Sequence, residues 1–236
     1  KPVIARTQAN HDVDDIIVSS NGAHVVFGRS TGFSPVVSLA NLDGTNGFQI
    51  TGESPDDNFG RQVSTAGDVN GDSVGDVIIG APRFDANGRE RSGAAYVIFG
   101  SKTAFPRTLR ASSLNGTNGF QISGEDAYDY AGTEVASAGD INGDGFSDLM
   151  VTALLGGGGT TYIVFGQNAA FPANFRLSNL AGHGFFVSIE AGKYNSDHVA
   201  AAGDVNGDGF DDFIVGAPDS DVGYEPRYSG NAYVVF

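Results

Sequence analysis

Cysteine is absent from the 236 residues, which excludes disulfides and thiolate metal sites and leaves the redox compartment unmarked. Cations are scarce: 13 Lys and Arg stand against 28 Asp and Glu, for a net charge of −15. A chain this acidic is not expected to bind nucleic acid through its phosphates, or anionic lipid headgroups. No apolar run reaches the roughly 18 residues that a membrane helix needs, so no membrane insertion is expected. The opening stretch KPVIARTQ does not read as a secretory signal. Charged residues make up only 17% of the chain.

What is abundant is glycine, with 35 residues and no collagen-like period, which points to many turns. Hydrophobic residues make up 40%, enough for one large all-β domain over 1–236.

Three markers recur in fixed order. The acidic stretches Asp68–Asp76 (DVNGDSVGD), Asp140–Asp148 (DINGDGFSD) and Asp204–Asp212 (DVNGDGFDD) each run into an apolar segment. GFQI at Gly47, GFQI at Gly119 and GFFV at Gly184 form a second series. HVVFG at His24, YVIFG at Tyr96, YIVFG at Tyr162 and YVVF at Tyr233 form a third. This is a tandem array, with repeats at approximately 1–50, 51–124, 125–190 and 191–236.

In the second unit the expected strands are GRQVSTAGD from Gly60, DVIIG from Asp76, GAAYVIFG from Gly93 and GFQISG from Gly119, separated by Gly, Asn, Asp and Pro turns. No segment sustains a helical period, though LRASSLNG could form one helical turn. Four-stranded units in tandem, none able to bury both faces alone, suggest β-propeller blades. The small residues of GRQVSTAG, GTEVASAG and SDHVAAAG suit strands at a narrow centre. The reading is about four four-stranded blades, as a four-bladed ring or as part of a larger propeller.

Phe59-Gly60, Gly80-Ala81-Pro82 and Gly216-Ala217-Pro218 resemble the FG-GAP repeat of the integrin α-subunit N-terminal propeller. The resemblance covers nearly the whole chain. Bacterial extracellular proteins with such repeats are similar in their Asn-Gly-Asp-Gly turns and lack of cysteine. The third unit departs, with Ala131-Gly132 and Thr152-Ala153-Leu154, and the fourth lacks the Phe-Gly pair. Family propellers usually have seven blades, which leaves ring size open. The resemblance implies an extracellular or cell-surface, calcium-stabilised adhesion or recognition module rather than an enzyme.

The acidic loops carry oxygen donors at alternating positions, which suits calcium, a hard cation taking six to eight oxygens. The expected ligands in the first site are Asp68, Asn70, Asp72, the Val74 carbonyl and Asp76. In the second they are Asp140, Asn142, Asp144, the Phe146 carbonyl and Asp148; in the third, Asp204, Asn206, Asp208, the Phe210 carbonyl and Asp212. Gly145 and Gly209 allow a positive φ that Ser73 must adopt at a cost. Magnesium fits less well, because it demands a near-ideal octahedron, and zinc lacks Cys or His in these loops. Turn chemistry alone explains one Asn-Gly-Asp-Gly; three copies at one place in the repeat favour a metal. In the first unit Thr7, Ala9 and His11 stand where the ligands would be and only Asp15 survives, so no metal is expected there.

Other signals are weaker. Gly28-Arg29-Ser30-Thr31-Gly32 matches a nucleophile-elbow pattern but opens no helix. Gly156 to Gly159 reads as a hairpin tip. His11, His24, His183 and His198 share no catalytic or metal spacing. Asn115-Gly116-Thr117 is a formal glycosylation sequon. Tyr128, Tyr130, Tyr194, Tyr224 and Tyr228 lie in loops beside acidic residues, where aromatics suit protein or glycan contacts. The expected partner is a protein or polysaccharide held on the loop-rich face, in a homo-oligomer or a larger parent chain. The alternative is a hydrolase or lyase acting on polysaccharide, or a domain of one.

Overall fold

The computed structural model describes residues 3–5, 14–20, 22–155, 158–188, 198–218 and 230–236. Every sheet is antiparallel at its centre and follows the repeat. The first blade holds β1 (Val3–Ala5), β2 (Asp15–Ser19), β3 (Ala23–Val26) and β4 (Gly47–Thr51). The second holds β5 (Val63–Gly67), β6 (Asp76–Ala81) and β7 (Ala94–Ile98); β8 (Thr108–Arg110) follows, then β9 (Gly119–Ser123). The third has β10 (Val135–Gly139), β11 (Asp148–Leu155) and β12 (Gly158–Val164), then β13 (Asn174–Arg176) and β14 (Gly184–Ser188). The fourth has β15 (His198–Gly203), β16 (Asp212–Ala217) and β17 (Asn231–Val235). The first strands of successive blades pack in series, β1 on β5, β5 on β10 and β10 on β15. This is a β-propeller architecture, as the repeat predicts. Among the described residues short 3-10 turns are the helical content, Ala111–Ser113 inside LRASSLNG being one. Among the described residues no helix is long and apolar enough to cross a membrane.

Period-2 burial makes the blades stack. Val77 and Ile79 of β6 share one apolar cluster with Val25, Phe48 and Ile50 of the first blade. The intervening Ile78 joins Leu149 and Val151 of the third blade in another. The second blade therefore buries both faces between its neighbours, and its near-continuous apolar run DVIIGA follows from that.

Two strands lie where the sequence suggests only a connection. β8 pairs parallel with β4 of the preceding blade, and β13 pairs parallel with β9. Each connection thus laces the outer edge of the blade before it. Phe105 stacks on Phe48 with centroids 4.1 Å apart, and Phe171 stacks on Phe120 at 4.2 Å. The lacing closes an edge that would otherwise present unpaired N–H and C=O groups.

The name-giving glycines meet each other. The Gly60 N–H donates to the Gly80 carbonyl at 2.9 Å, and the Gly80 N–H donates to the Gln62 carbonyl at 2.9 Å. A Cβ on Gly80 would stand 2.1 Å from the Gly132 carbonyl oxygen of the next blade. In the third unit the same contact survives the departures, with Gly132 donating to Thr152 at 3.0 Å. It tolerates Thr152 because it is made backbone to backbone.

Candidate metal centre

The three acidic loops join the first and second strands of the second, third and fourth blades, so all three emerge at one end of the propeller. Their hydrogen bonding is nearly identical. In the first loop Asp68 accepts from the Gly71 N–H at 2.7 Å and from the Ser73 N–H at 2.8 Å. Asn70 Oδ1 accepts from the Asp72 N–H at 3.0 Å, and Asp72 accepts from the Val74 N–H at 2.8 Å. In the second loop Asp140 accepts from Asp144 and Gly145, Asn142 from Asp144, and Asp144 from Phe146. In the third, Asp204 accepts from Gly207 and Gly209, Asn206 from Asp208, and Asp208 from Phe210. The oxygens at positions 1, 3 and 5 thus turn inward onto the loop's own N–H groups, which shapes the loop without an ion. Ser73 holds φ at +65°, matching Gly145 at +90° and Gly209 at +96°. The conformation is the expected one, held by a residue that disfavours it.

The ninth position behaves differently. Asp76 and Asp148 are fully buried beneath their loops. Asp76 accepts from the Val69 N–H at 2.9 Å and from the Gly100 N–H at 2.8 Å. Asp148 accepts from Ile141 at 3.1 Å and from Gly166 at 2.9 Å. This carboxylate staples the loop to the glycine just after the third strand. The first blade keeps the staple: Asp15, also buried, accepts from the Gly28 N–H at 2.7 Å. That explains why Asp15 survives in a unit without the other acidic positions. Thr7, Ala9 and His11 lie outside the described residues. In the fourth blade Asp212 accepts from Val205 at 2.7 Å, while its buried Oδ1 meets no hydrogen-bond partner among the described residues.

Burial pushes the Asp76 carboxyl well above the usual range, against its two backbone hydrogen bonds, with Asp72 and Asp68 raising it further. The same causes push Asp148 up to about 7, with Asp144 and Asp140 adding repulsion. Among the described residues no three His, Cys, Asp or Glu side chains are gathered closely enough to hold an ion by themselves. In each loop the oxygens of positions 1 and 3 converge on the N–H of position 5. Most of these carboxylate oxygens keep a lone pair beyond the one engaged by an N–H, while Asp68 Oδ1 and Asp204 Oδ1 each accept from two. The donor set is all hard oxygen, so the residues present fit calcium.

The seventh position carries a role that spacing alone did not reveal. Beyond its carbonyl, the Phe146 ring lies over Gly71 of the preceding blade, where an added Cβ would stand 2.3 Å from the ring. Phe210 covers Gly143 in the same way at 2.5 Å. The Asp211 N–H donates to the Asp140 carbonyl at 3.1 Å, and Asp211 Oδ2 accepts from the Asp140 N–H at 2.9 Å. The glycine at position 4 recurring in one loop with phenylalanine at position 7 of the next was the signal available in the sequence.

At the other end, Tyr128 and Tyr130 take positive φ of +67° and +52°, their ring centroids 6.3 Å apart. Tyr128 is hydrogen-bonded to Glu90, and the Arg91 guanidinium to Tyr130. Tyr194, Tyr224 and Tyr228 lie outside the described residues. An open cleft of about 710 Å³ lies near Ser19, Glu53, Asn58 and Arg61. The buried Asp57 and Asp129 are both raised by desolvation, but they occupy one repeat position and both cap their own loops, Asp57 on Ser54 N–H and Asp129 on Asp126 N–H. Ser30 of the G-x-S-x-G stretch sits in a turn with no helix after it. His24 is buried and its pKa lowered by desolvation; His183 stands edge-on to Phe175; the exposed His198 lies 3.8 Å from Glu134. They do not form a cluster. Leu155 pairs with Gly158, so the four-glycine run falls at the β11–β12 hairpin, with 156–157 outside the described residues.

A propeller whose blades carry an acidic loop after the first strand and a glycine lock at the opposite end defines a class of repeat protein. The FG-GAP repeat model matches residues 59–98, 131–164 and 198–235. Integrin alpha-PS3 of Drosophila melanogaster is 32% identical over 180 residues, 73% of this chain and 14% of that protein. Phosphatidylinositol-glycan-specific phospholipase D of Bos taurus is 31% identical over 184 residues, 72% of this chain and 20% of that protein. Integrin alpha-5 of Xenopus laevis is 27% identical over 211 residues, 86% of this chain and 18% of that protein. The chain is an FG-GAP repeat protein similar to integrin α subunits, and it spans a fifth or less of the length of these relatives.

Proposed function

We propose that this is a calcium-stabilised, extracellular recognition module that binds a protein or glycan and performs no catalysis. The observation that carries it is the acidic loop built three times alike, with a buried carboxylate under each. The metal would be held by Asp68, Asn70, Asp72, the Val74 carbonyl and Asp76, and by the corresponding residues of the other two loops. Bound calcium would neutralise the carboxylates and set the turn rigidly between the first two strands of each blade. The ligand would meet the opposite end, where Tyr128, Tyr130 and Arg91 stand together; exposed Tyr and Arg are the residues most used as binding anchors.

The test is thermal unfolding of calcium-loaded protein against the same protein in excess chelator. The expected result is a fall in Tm of several degrees, reversed by calcium and poorly by magnesium. An unchanged curve sinks the metal reading. A screen against glycans and matrix proteins, with a Tyr128→Ala control, then tests the ligand face.

A second reading, a polysaccharide-acting hydrolase or lyase or a domain of one, is favoured by one observation. The cleft near Glu53 and Arg61 is large enough for a sugar. Release of reducing ends or unsaturated products from a polysaccharide panel would favour it; their absence would leave the binding module.

A further inference from the structure

Two interblade junctions share one framework and differ in what fills them. β6 and β7 are joined by residues 82–93, whereas β2 and β3 are joined by 20–22 alone. The longer segment ends by running along 128–131, between the second and third blades, in the same direction. Its carbonyls take the N–H groups there: Glu90 from Tyr128 at 2.8 Å, Arg91 from Tyr130 at 3.1 Å and Ser92 from Ala131 at 3.0 Å. Its Arg89 guanidinium lies 3.8 Å from Glu125, which Arg176 also engages at 2.8 Å.

Between the first and second blades no segment of the described residues occupies that slot. Residues 52–60 repeat 124–132 closely. Asp57 accepts from the Ser54 N–H as Asp129 does from Asp126, and Asn58 holds φ at +56° where Tyr130 holds +52°. Asp56, Asn58 and Phe59 stand where Tyr128, Tyr130 and Ala131 do. Among the described residues their N–H groups donate to no acceptor. Glu53 stands exposed where Glu125 does, and its partner among the described residues is the Tyr96 hydroxyl at 3.3 Å, not a guanidinium. The space left is the cleft of about 710 Å³ near Glu53, Asn58 and Phe59. It comes from the shortness of an internal hairpin, and both blades that wall it are present.

We propose that this cleft takes an extended, basic peptide segment of a partner protein. The peptide runs parallel to 56–59, its carbonyls accept from the Asn58 and Phe59 N–H groups, and its basic side chain pairs with Glu53. Residues 89–93 of this chain, Arg-Glu-Arg-Ser-Gly, give the form of such an occupant in the neighbouring junction. Main-chain hydrogen bonds supply the affinity of this mode and side-chain pockets its selectivity. The site is distinct from the Tyr128 and Tyr130 pair and needs no calcium. It rests on the recognition reading only in taking a protein as partner.

The probe is the end-blocked peptide of residues 88–93, GRERSG, titrated into the whole chain and followed by amide NMR. The expected result is saturable one-to-one binding, with shifted and more slowly exchanging amides at Asn58 and Phe59 and unmoved ones at Tyr130 and Ala131. Glu53→Gln should weaken binding about two- to fivefold, the scale of a partly exposed ion pair, and keep the two amide shifts. A peptide with Ala for its first Arg should lose the same factor and lose no more on Glu53→Gln. Absence of saturable binding overturns the proposal. So do shifts that bypass Asn58 and Phe59, an arginine-free peptide that binds as well, or displacement of the peptide by a neutral polysaccharide, which would put a sugar in the cleft. The calcium melting test and the Tyr128→Ala screen read other residues, so the recognition reading and this one fail separately.

Discussion

Ser73 shows how one residue can be required by a neighbour and still fit poorly. The loop needs a positive φ there so that its N–H reaches Asp68, and Ser73 supplies it at φ +65° with a hydrogen bond of 2.8 Å. An L-residue with a Cβ is strained in that region, whereas Gly145 and Gly209 are not. Ser73→Gly should therefore stabilise the chain by about 1 kcal/mol in urea unfolding, less the extra chain entropy of glycine. Loss of stability would show that the serine side chain contributes something the backbone does not. The residue scale also separates two duties of aspartate that spacing alone presents as one. Asp15 follows Thr7, Ala9 and His11 where the other units carry Asp, Asn and Asp, and still bonds Gly28. Asp15→Ala should leave a buried N–H unpaired and cost about 1–3 kcal/mol. That cost should be the same with calcium and with chelator; a calcium-dependent cost would place a metal where none is expected.

At the scale of the element, the acidic loop links three strands. It joins the first strand to the second through the chain, reaches the residue after the third through its ninth-position carboxylate, and contacts the previous blade through Phe146 or Phe210. The alternating oxygens were legible in the sequence because period and residue type survive any tertiary context. The interblade use of the phenylalanine ring was not, because it depends on which glycine lies opposite, and that partner is some 70 residues away. Similarly, the segment between Phe99 and Gly119 reads as a connection, since its three strand residues gain their partner from another blade. A strand of three residues has no period of its own to detect.

For the whole molecule, the lacing sets a gradient of stability. Gln49 and Gln121 each donate their outward N–H to a laced segment, Arg107 at 3.0 Å and Ala173 at 2.9 Å. Phe186 occupies the same place in β14, where no laced strand is present among the described residues, and it is 60% exposed. The Phe186 amide should exchange with solvent far faster than that of Gln121, read by native-state hydrogen exchange. Equal protection would mean that something not seen here covers the edge of β14.

The sequence by itself determined the repeat, the all-β character, the order of strands and the acidic loops. Each of these is written in local residue type and period, and each recurs often enough to stand above chance. Tertiary structure alone decided which glycines serve as sockets and which short strands cross to a neighbouring blade. Those depend on juxtapositions between distant units. Ile78 and Ile79 are adjacent and of one type, yet the first packs toward the third blade and the second toward the first, because burial belongs to the neighbour as much as to the side chain.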